Sequence, residues 1–306
     1  MRIAVLCNDR IALPALDQLL AAKLVAAVGM PDRISQTRLI VKDRCFKSGV
    51  PLQLFTKRNL DKDLTDWLNS YQPDVVLVKT FPFLIPAGCI KIPRYGFINF
   101  HYAPLPQWRG ANPLFWMIRN RETAGGVTVH SMNETFDAGP ILLKQDVALS
   151  PDSNFGIFYT QLAYAGLHLT GTLLSGLQSS SLISTEQDHS RAKWYGRPSA
   201  SDLFINWDTM QAEEIKALVN ACNPWNNGAA TSWNGWIFGI SEIMISGNQH
   251  GGEAPGTILS IDPGNGLTIA CKEGKIVKAE VVYCEEGFYS GHRLAGFGLQ
   301  KDARLQ

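Results

Sequence analysis

Short apolar runs alternate with stretches of helical periodicity through the first half of the chain, and this alternation restricts the fold more than any other feature. Arg2–Cys7, Lys23–Met30, Asp74–Lys79, Gly96–His101 and Gly126–Met132 read as strands. Helices are expected from an Asn8 or Asp9 cap to Leu20, and over Thr37–Ser48, Asn59–Tyr71 and Ala111–Asn120. In the third of these, Leu60, Leu64 and Leu68 repeat at one helical turn. Asp74–Lys79 has a continuous apolar core, as strands covered on both faces of a parallel sheet do. The alternation predicts an α/β domain with a doubly wound, mostly parallel, Rossmann-like sheet. No G-x-G-x-x-G follows the first strand, so the dinucleotide fingerprint is absent.

The pattern then changes. Residues 178–200 form a polar connection, Met210–Cys222 reads as a helix, and short apolar runs follow between Gly and Pro turns: Trp236–Ser246, Gly256–Ile261, Leu267–Cys271 and Lys275–Tyr283. Such spacing suggests a small β-barrel or sandwich. With 306 residues, the chain is long for one core. The expected division is an α/β domain over 1–180, a linker over 181–202 and a smaller β-domain over 203–306.

Charge is unevenly spread. Residues 1–200 hold 21 Lys and Arg against 15 Asp and Glu, a net +6, whereas the remainder holds 7 against 12, a net −5. A negatively charged C-terminal part is a poor nucleic-acid footprint, since phosphate binding depends on clustered Lys and Arg. The six cysteines are scattered without a C-x-x-C pair, which suits reduced core thiols in a cytoplasmic protein. The N-terminus meets Asp9 and Arg10 too early for a signal peptide. Ser153–Thr185 lacks any Asp, Glu, Lys or Arg, but Gln161, His168 and repeated Thr and Gly interrupt it. Asn154–Leu177 is therefore read as a helix buried in its domain, with no membrane span.

Chemistry concentrates between residues 99 and 139. Asn99 and His101 are two apart, so on a strand they share a face. The run then breaks at Pro104-Leu105-Pro106, which cannot continue a ladder. Polar side chains at a strand end, facing a loop, are where α/β enzymes keep their chemistry. Asp137-Ala138-Gly139 follows downstream. No His spacing suits a metal, so none is expected.

Asn99-x-His101, the Pro-rich loop with Arg109-Gly110, Gly126-Val127-Thr128-Val129 and Asp137-x-Gly139 together resemble the formyltransferases that use 10-formyltetrahydrofolate. Met1–Leu6, Pro31-Asp32-Arg33, Ile205-Asn206-Trp207 and Asn223-Pro224-Trp225 look like the methionyl-tRNA formyltransferase branch, whose C-terminal domain is an OB-type barrel. The resemblance implies that Asn99, His101 and Asp137 are the catalytic set. It also implies that Phe81, Phe83, Leu84 and Ile85, with the loop Asn133, Glu134, Thr135, Phe136 and Asp137, cradle the pterin of the formyl donor, largely through backbone groups. The four residues past the strand otherwise read as core. Tyr102, Pro104, Trp108 and Arg109 flank the active loop and are candidates for substrate contact: Arg109 through a carboxylate, Trp108 by stacking if it is not simple packing. These roles suit the reaction, in which an amine attacks a formyl carbon and negative charge grows on oxygen. The Asn99 amide is a donor for that oxygen, His101 a second donor or proton carrier, and Asp137 holds the imidazole and accepts the proton that the amine sheds.

The acceptor is read from departures. The run Ile34–Arg38 is shorter than the Gly- and Lys-rich insertion usual in the tRNA-directed enzymes, and Tyr102-Ala103-Pro104 replaces their Ser-Leu-Leu type run. Asn112–Trp116 and Val129-His130 look more like the enzymes that formylate amino sugars carried on nucleotides. The expected acceptor is thus a small-molecule amine, a nucleotide-linked amino sugar, with methionyl-tRNA the disfavoured alternative. A 10-formyltetrahydrofolate hydrolase is a further alternative, although related hydrolase domains carry an apolar residue where Asn99 stands. The last alternative is a non-catalytic folate- or nucleotide-binding module. Expected partners are the amine acceptor and at most a second copy of the chain in a homodimer, with no membrane.

Overall fold

The computed structural model describes residues 1–306 and divides them into two compact units. The first comprises Met1–Pro113, Gly125–Ala148 and Tyr159–Tyr195; the second comprises Leu114–Ala124, Leu149–Phe158 and Gly196–Gln306. The chain runs β1 (Ile3–Cys7), α1 (Leu13–Ala21), β2 (Val25–Pro31), α2 (Gln36–Ser48), β3 (Leu52–Phe55), α3 (Leu60–Tyr71), β4 (Val75–Lys79), α4 (Ala87–Ile90), β5 (Phe97–His101) and β6 (Arg109–Gly110). Then follow α5 (Pro113–Arg119), β7 (Ala124–Ser131), β8 (Ile141–Ala148), α6 (Phe155–Ser179) and β9 (Trp194–Tyr195).

The first unit is built on a seven-stranded sheet of order β3-β2-β1-β4-β5-β7-β8. Strands β3 through β5 pair in parallel, and β7 lies antiparallel to β5. The order reverses between β1 and β4, so the crevice of this sheet opens at the carboxyl ends of these strands. β1 and β4 are buried at every position, as their apolar runs require. On one face, Leu60, Leu64, Trp67 and Leu68 of α3 pack with Phe55, Val76, Val78 and Phe97. All six cysteines are free and buried.

Three local features differ from the sequence reading. Neither Asn8 nor Asp9 caps α1: a 3-10 turn, Arg10–Ala12, intervenes and the helix starts at Leu13, with Pro14 in its first turn. β3 and β8 are extra strands, both at sheet edges. The polar stretch after α6 is tied into the first unit, since Thr185 bridges Ile141 and β9 pairs with β6. The connection from β2 to α2 is short, Asp32–Ser35, because the Ser35 hydroxyl at once caps the helix by accepting from the Arg38 N–H at 3.1 Å.

The second unit contains α7 (Ala212–Cys222), β10 (Ala229–Trp233), β11 (Trp236–Gln249), β12 (Ile258–Asp262), β13 (Gly266–Ala270), β14 (Lys275–Cys284) and β15 (Gly287–Ser290). These form an antiparallel sheet of order β10-β11-β14-β13-β12, with β15 on β14. Register shifts in β11 beyond Ile240 bend it. Phe238, Ile240, Ile269, Val277 and Val282 are buried, as are Ile215 and Leu218 of α7. This is the smaller C-terminal β-domain expected from the turn spacing. No helix of the chain is long and apolar enough to cross a membrane.

Candidate active site

β5 carries Asn99 and His101 to the carboxyl end of the sheet on one face, and β7 sets His130 opposite Asn99 and Thr128 opposite His101. The Asn99 Nδ2 lies 3.1 Å from His130 Nε2. His130 Nδ1 donates to the Ser131 carbonyl at 2.9 Å, so its Nε2 is a lone pair and accepts from the Asn99 amide. Burial holds the His130 imidazole down at about 4, well into its neutral form. One Asn99 N–H is thereby occupied and the other is free for an oxygen at the strand end.

His101 is buried between two acceptors. Its Nε2 donates to the Trp108 carbonyl at 2.5 Å, and its Nδ1 lies 3.4 Å from Asp137 Oδ1. With both nitrogens protonated, each N–H has a partner, and the Trp108 carbonyl excludes the tautomer that lacks a proton on Nε2.

Asp137 reaches His101 through a sharp turn after β7. Its backbone is left-handed, with φ +52°, and the turn is pinned where Gly139 passes against the Ser131 carbonyl. Its Oδ2 accepts from the Gly110 N–H at 3.0 Å. Its Oδ1 is also 4.0 Å from His130 Nε2, so one carboxylate oxygen faces both imidazoles.

Arg109 stands beside this set, 4% exposed, with Nη2 donating to Gln187 Oε1 at 2.7 Å and to His189 Nδ1 at 2.8 Å. Its Nε has no partner. Burial pushes its pKa down while Asp137 pulls it back up. Trp108 stacks on Tyr195 with ring centroids 4.2 Å apart, so its ring is spent on packing and its carbonyl on His101. Tyr102 points away: it packs against Gly166 of α6 and is buried, because a residue one step past His101 faces the other side of the sheet. Pro104 accepts from the Trp108 N–H at 3.1 Å, closing the loop.

Two further segments flank the strand end. Phe81 and Phe83 meet edge to face at 5.3 Å and, like Met132, are partly buried against the same core cluster; Ile85 is buried in it and Leu84 is exposed. Asn133–Phe136 form an exposed loop in which Asn133 Oδ1 accepts from the Thr135 N–H at 3.0 Å, leaving Phe136 45% exposed. No group of His, Cys, Asp and Glu stands close enough to hold a metal ion.

The model of the formyl transferase family matches residues 1–168, and that of the formyl transferase C-terminal domain matches residues 198–286. The chain belongs to the formyl transferase family. This makes it an enzyme of formyl-group transfer and replaces the reading as a non-catalytic module. The formyl transferase is 30% identical over 307 residues to the methionyl-tRNA formyltransferase of Geotalea uraniireducens, covering 98% of this chain and 96% of the relative. Among solved structures it is similar to HypX from Aquifex aeolicus in complex with tetrahydrofolic acid, with TM-score 0.66 and 18% identity over 97% of this chain. The chain spans about half the length of HypX, 47%. It is also similar to the N-formyltransferase from Helicobacter canadensis in complex with folinic acid and dTDP-3-aminofucose, with TM-score 0.68 and 15% identity over 94% of this chain and 100% of that one. At these identities the solved structures show a shared fold.

Sequence reading missed His130, Gln187 and His189 as members of this formyl transferase's polar cluster. Val129-His130 was visible at the end of a strand. Gln187 and His189 lie in a polar connection with no periodicity to mark them.

Proposed function

We propose that this formyl transferase moves the formyl group of 10-formyltetrahydrofolate to the primary amine of a small molecule, a nucleotide-linked amino sugar. The observation that carries the reaction is the free Asn99 N–H beside the His101–Asp137 pair. The acceptor nitrogen attacks the formyl carbon, and the carbonyl electron pair moves to oxygen. The free Asn99 N–H is the donor for that oxyanion, in a site where burial strengthens the bond. As the new C–N bond forms, the attacking nitrogen sheds a proton toward Asp137. When the intermediate collapses, the bond to N10 of the folate breaks and N10 takes up a proton. Asp137, 3.4 Å from His101 Nδ1, holds the imidazole in place through these steps.

The residues present suit the donor. Phe81, Phe83 and Leu84 leave apolar surface uncovered past β4, and Phe136 does so from the loop ahead of Asp137. A flat pterin fits between such segments, with exposed backbone of the 133–136 loop beside its polar edge.

The acceptor is argued from the Asp32–Ser35 connection. Four residues between β2 and the capped start of α2 make a short connection there, which supports a small acceptor over a nucleic-acid stem, and the net −5 of the last third disfavours phosphate tracking. The names of the curated relatives favour the second reading, methionyl-tRNA.

The test is turnover of purified protein with 10-formyltetrahydrofolate and a panel of amines, read by mass spectrometry of the product. An N-formylated nucleotide sugar is expected. Formylated methionyl-tRNA without any sugar product, and tight tRNA binding that falls steeply with salt, would overturn the acceptor. Formate released at full rate with no amine present would make the enzyme a hydrolase.

A further inference from the structure

Gln187 lies 50 residues beyond Asp137, in the polar stretch after α6, yet its side chain is 6% exposed and fully engaged at the site. Its Nε2 donates to the Asp137 carbonyl at 2.9 Å and to the Gly139 carbonyl at 2.7 Å. Its Oε1 accepts from Arg109 Nη2 at 2.7 Å. The two carbonyls flank Ala138, so one carboxamide spans the turn that carries the left-handed Asp137. A ring of bonds results. Gln187 holds the Asp137 backbone, the Asp137 carboxylate accepts from the Gly110 N–H at 3.0 Å, and Arg109, the residue before Gly110, returns to Gln187.

Each link has a physical reason to act on the reaction. A non-glycine residue at φ +52° is held against its preference, so the turn relaxes when its carbonyls lose their donor. The Asp137–His101 distance, 3.4 Å, is already at the long end for an ion pair with hydrogen bonding, and a small outward relaxation breaks it. The hydrogen bonds of Gln187 go to the Asp137 and Gly139 carbonyls and to Arg109, not to the His101 ring or the Asp137 carboxylate, which separates positioning from chemistry.

We propose that Gln187 is a positioning residue for formyl transfer: its carboxamide holds the Asp137 turn and thereby sets the distance between the Asp137 carboxylate and His101. The inference rests on the assignment of that pair to the transfer step.

Two variants separate the bonds. Gln187→Glu keeps an acceptor for Arg109 but has no N–H for the two carbonyls, whereas Gln187→Met removes every bond at similar length. Both are expected to lose roughly 10- to 100-fold in kcat, the usual cost of a lost supporting partner, with the donor KM unchanged. Wild-type kcat in Gln187→Glu would overturn the proposal. In an Asp137→Asn background, adding Gln187→Met is expected to cost nothing further, and a full multiplicative loss would overturn it. A substrate-free readout is the separation of Asp137 Oδ1 from His101 Nδ1 in crystal structures of the two variants. It is expected to lengthen beyond 3.4 Å as the turn relaxes, and an unmoved separation would overturn the proposal. A lengthened separation in a protein that formylates no amine would sink the functional reading and leave the positioning role intact.

Discussion

The amide of Asn99 donates across the β5–β7 pair to the ring of His130, Nδ2 to Nε2 at 3.1 Å. The neutral ring with Nδ1 bonded to the Ser131 carbonyl can only accept there, so the carboxamide is turned with its second N–H toward the strand end. Replacing Asn99 by Ala removes that donor and is expected to lower kcat by about 10² to 10³. Asn99→Asp sets a carboxylate against the developing oxyanion and is expected to be at least as damaging. Steady-state rates on the identified amine check both; a loss under about 10-fold in Asn99→Ala would remove Asn99 from the reaction.

The same histidine makes stability depend on pH. Its folded pKa, about 4, is depressed from the ordinary 6.5 by burial. As the pH falls through that window the unfolded chain takes up the proton first, so the stability is complete above about 6.5 and drains toward 4. By pH 4.5 the loss from this ring is about 2 to 3 kcal/mol. Urea unfolding of wild type and His130→Met at pH 7.5 and pH 4.5 measures it. The wild type is expected to lose more than the variant by about that amount, and equal losses would contradict the assignment.

How far the site could be read from residues follows from how local each signal is. Asn99 and His101 share a face because strand alternation is a two-residue rule, and β5 obeys it. The same rule carries Tyr102 to the opposite face, where it meets α6, although its residue type suggested substrate contact. Trp108 could not be resolved between stacking on a ligand and packing, because its partner Tyr195 is 87 residues away on a two-residue strand. Gln187 is silent for the same reason: nothing in Ser-Thr-Glu-Gln-Asp announces two bonds to a turn far earlier in the chain and a third from Arg109. The extra strands β3 and β8 lie at edges, where one is only four residues and the other mixes Lys, Gln and Asp with apolar residues.

Lys79 ends a strand and is nonetheless fully buried on the face opposite Asn99, where its amine bonds Thr170 Oγ1 at 3.0 Å and sits 3.3 Å over the Phe100 ring. Burial pushes its pKa well below the ordinary lysine value, with Cys7 opposing weakly. Lys79→Met fills similar volume without a group that must be desolvated, and Thr170 keeps its own bond to the Gly166 carbonyl at 2.6 Å. The variant is expected to be more stable by about 1 to 2 kcal/mol at pH 7. The gain should shrink as the pH rises toward 10.5, where the unfolded lysine also loses its proton. Thermal unfolding at pH 7 and pH 9.5 checks this; a lower melting temperature at pH 7 would show that the cation on the Phe100 ring is a net stabiliser.

Gly139 allows the turn that brings Asp137 to His101. A Cβ there would lie 1.8 Å from the Ser131 carbonyl oxygen, a backbone atom that already accepts from His130 Nδ1 and cannot withdraw without moving β7. Gly139→Ala is therefore expected to cost about 3 kcal/mol or more, and to abolish transfer even in the protein that remains folded, because Asp137 and His130 are both displaced. Gly171, in the body of α6, is the matched control: nothing lies within 4 Å of its would-be Cβ. There Gly171→Ala removes backbone entropy from the unfolded chain without a clash and is expected to stabilise by about 0.5 to 1 kcal/mol with activity intact. Denaturant midpoints and kcat for the two alanine variants measured together decide it: comparable stabilities would mean that the Asp137 turn accommodates a side chain, and the close approach to Ser131 would lose its place in the design of the site.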